Sequence, residues 1–175
     1  MYPVLLTLIV LDVLLIAVEV AFGITLERPE DVNRHYLLGL LVSMYTCFIH
    51  CLVLFYLIGT GKDIRDAVED HKDLAAEYFP WTNRQKRRAF PPACFALALM
   101  VFAALMGGEV HSRLLGGLSD GQLPLRGIAL WWIHLMAVVA AVALSGYAFV
   151  VELAVVRANR DAIDRINAEL TLREG

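Results

Sequence analysis

Asp12, Glu19, His50, Glu109, His111, His134 and Glu152 are acids and imidazoles set inside stretches of sequence that are otherwise apolar. Imidazoles and carboxylates pass protons and ligate haem iron or transition metals. A membrane interior charges roughly 3 kcal/mol for each such group on insertion scales, so they turn toward a bundle interior and mark a site. The stretches that carry them run over about 3–23, 36–58, 93–112 and 127–156. Each lies near the ~20 apolar residues that cross a bilayer as a helix.

Composition supports the same reading. The chain has 175 residues, 59% of them hydrophobic, and a mean hydropathy of +0.63. A soluble domain of this size has too little interior to hide that much apolar surface. The net charge of −3 is too mild for a nucleic-acid partner. Cys47, Cys51 and Cys94 have neither disulfide nor zinc-ribbon spacing and read as small apolar residues. The expected fold is therefore all-α: an integral membrane four-helix bundle, with the lipid bilayer as its first partner.

Orientation follows from the basic residues. Eleven of the 15 Lys and Arg fall between spans two and three or after span four, leaving Arg28, Arg34, Arg113 and Arg126 for the other connections. The positive-inside rule then puts both termini and the middle segment in the cytoplasm, with a bacterial inner membrane as the expected setting. The middle segment, 62–79, carries Ile64, Val68, Ala75 and Tyr78 at helical spacing, and the fourth span continues without a breaker over 157–171. Both read as cytoplasmic helical extensions. Gly59, Thr60 and Gly61 are expected to end the second span, and Pro91 and Pro92 to open the third.

Depth arithmetic gathers the ionisable groups into two levels. At about 1.5 Å per residue, Asp12 lies near the midplane with His50 just to its cytoplasmic side, where the two can touch. Glu19, Glu109, His111 and His134 fall roughly 6–10 Å above it, with His35 higher still. Asp12 and Glu19, seven residues apart, share one stripe of the first helix; Ser43, Thr46, Cys47 and His50 form a polar stripe on the second. On the third helix Glu109 and His111 diverge by about 200°, so only one of them can aim at the bundle axis.

Three chemistries fit these residues. His111 and His134, on neighbouring antiparallel helices beside Gly107 and Gly108, have the layout of axial ligands to one haem b. His50 stands in reserve as a cofactor ligand, but no second histidine shares its level. Glu19, Glu109 and His134, with His111 or His35, instead form a mixed oxygen and nitrogen set for Zn, Fe or Mn. In the third, Asp12 with His50 and Glu19 with His134 are hydrogen-bonded pairs that hold helices in register without a cofactor. With haem present, Asp12 and Glu19 become a proton path or outer-shell acceptors, exchanging protons with a quinone.

Plainer roles fit the remaining candidates. Glu152 lies toward the cytoplasmic end, where pairing with Arg157 or the headgroups would make it an orientation device. Trp131 and Trp132 suit an aromatic belt. Gly59 to Lys62 lacks the full glycine spacing of a phosphate loop, and no dinucleotide or nucleophile-elbow motif is present. The expectation is a non-catalytic subunit or electron-transfer module, a small membrane cytochrome or redox anchor. Other membrane or redox subunits, or further copies of the chain, are its expected partners.

Overall fold

The computed structural model describes residues 1–25, 29–115 and 130–174. They form four helices, α1 (Tyr2–Ile24), α2 (Pro29–Val68), α3 (Lys72–Leu115) and α4 (Leu130–Glu174). Each is long and apolar enough to cross a membrane. Large apolar side chains such as Phe55, Leu105, Met136 and Val150 are more than 60% exposed, the inverse of a water-soluble surface and the expected lipid face. The architecture is an all-α, four-helix membrane bundle. The first three residues of the expected fourth span, 127–129, lie outside the described residues.

A seven-residue repeat holds the helices together. On α4, Ala141, Ala148, Val155 and Ala162 form one buried row, and Ser145, Glu152, Asn159 and Ile166 form the next. On α3, Thr82, Ala89, Ala96 and Ala103 repeat the same interval. Apolar positions recurring every 3.5 residues turn helices into a left-handed supercoil, so α3 and α4 stay in contact along their length. Within the membrane span the seam is mostly alanine, because association in lipid depends on close backbone approach. Beyond it the seam becomes bulky: Ile64, Val68, Leu74, Tyr78 and Ile166 form a separate core with Ala162.

That second core is a three-helix stalk, and it corrects three sequence expectations. The segment 62–79 is not one helix; it turns at Glu69–His71, so its halves belong to α2 and α3 and pack on each other and on α4. Gly59 and Gly61 do not stop α2, which is 40 residues long. Contacts available only to a continuous helix offset their helical cost of about 1 kcal/mol each: Asn159 donates to Thr60 Oγ1 at 2.6 Å, and Lys86 fills the space beside Gly61. Pro91 and Pro92 do not begin a helix either. Together with Pro80 they lie inside α3, where neighbouring helices tolerate the lost backbone bonds.

Candidate functional site: two buried polar layers

The first layer sits at mid-span and joins α1, α2 and α4. Asp12 belongs to the buried row of α1 that begins with Leu5 and Ile9, and it is the one charged member of that row. Thr46 and His50, one turn apart on α2, and Glu152 on α4 complete the layer; all four side chains are fully buried. Thr46 Oγ1 lies 2.9 Å and 3.1 Å from the two Asp12 carboxylate oxygens and 3.0 Å from the Val42 carbonyl. His50 Nδ1 meets Glu152 Oε1 at 2.8 Å, and Phe149 stacks on the imidazole with ring centres 4.6 Å apart.

Two expectations change here. Asp12 and His50 are neighbours within electrostatic reach, but Asp12 bonds to Thr46. Glu152 reaches neither the headgroups nor Arg157; it is buried against His50. Parallel α2 and α4 place positions 50 and 152 at one height, and the heptad row Ser145–Glu152–Asn159 points inward. That seven-residue spacing of polar side chains was the sequence signal for Glu152. A burial argument based on its distance from the helix end missed it.

Thr46 gives this layer a specific chemistry. A hydroxyl has one proton to donate and lone pairs to accept with. When Asp12 is ionised, Thr46 donates to it. When Asp12 is protonated, the acid donates to Thr46 and the hydroxyl turns its own proton to Val42. Both protonation states of Asp12 are satisfied without moving a helix. The His50–Glu152 contact is similar in kind: one proton shared across it gives either an ion pair or a neutral pair, with no change in net charge. His50 Nε2, Glu152 Oε2, Tyr45 Oη and Ser145 Oγ are buried without hydrogen-bond partners. Orphaned polar atoms inside a bundle are costly.

The second, outer layer lies about two turns farther from the stalk and is built on glycines. Glu19 Oε1 is 3.0 Å from His35 Nδ1, and both side chains are partly exposed. A Cβ at Gly39 would meet Glu19, and one at Gly23 would come within 2.7 Å of the His35 ring. His134 donates from Nδ1 to the Ala103 carbonyl at 3.1 Å, and its ring lies on α3 where a Cβ at Gly107 would be 2.9 Å away. His134 is also within electrostatic range of Glu19 and His35. His111 stacks on Tyr36, ring centres 4.6 Å apart and nearly parallel.

Glu109 leaves this layer. It turns outward to Arg113 at 2.8 Å and is about half exposed, so the metal set based on Glu19, Glu109 and His134 does not assemble. Among the described residues no three His, Cys, Asp or Glu side chains are grouped to hold a metal ion. The pairing expected between Glu19 and His134 goes to His35 instead. His111 is stacked on Tyr36, and His134 sets the Nδ1–Cε1 edge of its ring against the α3 backbone. His50 is committed to Glu152 and Phe149.

No protein-family model, no curated protein and no solved structure matches this chain, so its chemistry rests on the geometry of these two layers.

Proposed function

We propose that the chain is a proton-handling membrane subunit, in which Asp12, His50 and Glu152 take up and release protons at the centre of the bundle for a redox or transport assembly. The observation that carries this reading is the complete burial of three ionisable side chains from three helices, each held by a contact that accommodates more than one proton position. Intramembrane ionisable groups cost too much to be retained idly. Toward the stalk the layer is closed by Val53, Leu57, Val155 and Val156. Toward the other end no residue of α1 between Asp12 and Glu19 is buried. Glu19, two turns along α1, and its partner His35 are partly exposed and are the next titratable groups, and exchange in this reading runs toward them. With the basic middle segment and tail in the cytoplasm, that side is the outer one.

Infrared difference spectra of the reconstituted protein at two pH values test this. Wild type should show a protonated-carboxyl band that changes with pH and diminishes in Asp12→Asn and again in Glu152→Gln. Spectra unchanged by both substitutions would remove the reading.

A second reading keeps one haem b on His111 and His134, as in a small cytochrome or redox anchor working with a quinone. The bond from His134 Nδ1 to the Ala103 carbonyl supports it, because such a bond fixes the tautomer that leaves Nε2 free to ligate. When bound, the haem supplies one-electron chemistry. His134 and His111 would hold it, and Glu19 with His35 would take up the compensating proton. A reduced-minus-oxidised visible spectrum without sharp α and β bands would eliminate it.

A further inference from the structure

The membrane spans end at the stalk in cations that lack acids. Among the described residues, Lys62 of α2, Arg84, Lys86, Arg87 and Arg88 of α3, and Arg157 of α4 make no ion pair. They stand at one height, because Gly61 abuts Lys86 and Thr60 meets Asn159. Four of them are on α3, and of these Arg84, Arg87 and Arg88 are exposed and lie within about one turn.

The same face of α3 continues as an apolar strip into the membrane span. At 100° per residue Arg84, Arg88, Pro91, Phe95 and Phe102 all fall within about 40° of one line. Phe95 is 66% and Phe102 44% exposed, and Phe102 borders a shallow apolar groove shared with Met136 and Ala140. From Arg88 to Phe102 the helix rises about 21 Å.

We propose that this strip binds an anionic phospholipid, with its phosphate held by Arg84, Arg87 and Arg88 and an acyl chain lying along Pro91, Phe95 and Phe102. Guanidinium groups one turn apart can each give paired hydrogen bonds to phosphate oxygens, which a zwitterionic headgroup neutralises with its own cation. The apolar continuation is what separates a lipid from a free anion. On α2 the corresponding strip, Phe55, Ile58, Lys62 and Arg65, has a single exposed cation, because Arg65 bonds Asn83 and lies over the Phe79 ring, so the site belongs to α3.

Native mass spectrometry of the detergent-solubilised chain with equal phosphatidylglycerol and phosphatidylcholine tests it. Wild type should retain the anionic lipid with at least about tenfold preference, and Arg84→Gln/Arg87→Gln/Arg88→Gln should lose that preference. Lys62→Gln/Arg157→Gln should keep it, and Phe95→Ala/Phe102→Ala should weaken retention of both lipids. Equal retention of the two lipids by wild type would overturn the proposal, as would an unchanged preference in the arginine variant. Displacement of the lipid by an equal concentration of inorganic phosphate would show that a free anion is recognised and would also overturn it. If the arginine variant does not fold, wild type decides alone: a preference that survives 1 M salt unchanged, well beyond the screening range of about 3 Å, is not electrostatic and contradicts the arginine site.

Discussion

The two polar layers use the same residue types and differ in how they are enclosed. At mid-span, His50 and Glu152 are wholly buried, face each other across α2 and α4, and are sealed on the stalk side by aliphatic side chains. Two turns outward, His35 and Glu19 keep partial exposure, and His134 leans on a glycine notch with a backbone carbonyl as partner. A fully buried pair depends on its partner to balance its charge. A half-open one can rehydrate it. The middle layer is therefore where loss of a partner is costly, and the outer layer is where partners can change.

The sharpest break of that contrast is Glu152→Ala, which leaves His50 without its acid in the centre of the bundle and should cost roughly 3–5 kcal/mol, measured by thermal unfolding in detergent. His50→Leu/Glu152→Leu should recover most of that loss, since removing both partners strands no charge. It should still abolish the pH-dependent carboxyl signal contributed by Glu152. Recovery of stability together with an intact signal would separate the pair from proton handling.

Thr46→Val comes next, at about 1–3 kcal/mol, because it leaves the Asp12 carboxylate without a donor. Thr46→Ser should retain stability and titration. Equal loss in Ser and Val variants would show that Thr46 matters for shape alone. In the outer layer, Gly107→Val forces the His134 ring off α3, with an expected cost of about 1–3 kcal/mol. His35→Ala should cost about 1 kcal/mol or less, as for other partly solvated pairs. Should His35→Ala prove as damaging as Glu152→Ala, the two layers are energetically alike and the contrast fails.

The smallest effect lies at the far end of the stalk. Arg173 bonds Asp73 at 2.6 and 3.2 Å and Glu169 at 2.6 Å, and its hydrogen bond holds the Asp73 carboxyl at a pKa of about 2, below the usual 3.8. A carboxyl with a lowered folded pKa stabilises the fold above its unfolded value. That contribution fades as pH falls from near 4 to near 2. Protease nicking of the stalk tip should rise over this window in wild type and show less pH dependence in Asp73→Asn. Identical profiles would detach the clasp from the stalk's acid sensitivity.

Much of this architecture was legible along the chain, and particular residues show where legibility ended. Runs of apolar residues announced four spans, and the stripe shared by Asp12 and Glu19 announced an inward face of α1. The divergence of Glu109 and His111 was also readable, since helical geometry alone sends them to different sides; the structure turns Glu109 outward to Arg113. The glycines at 59 and 61 and the prolines at 91 and 92 misled, because their local preference is to end or start helices. Contacts from α3 and α4 outweigh that preference by a margin invisible in a single segment.

What the sequence alone determined is the class of the molecule and which helix carries each ionisable group, because apolar length and helical pattern are local quantities. The tertiary structure decided the partners: Glu152 for His50, Thr46 for Asp12, His35 for Glu19 and the Ala103 carbonyl for His134. Those choices depend on how helices rotate and slide against one another. Side chains from all four helices set rotation and register together, and no one of them does so by itself.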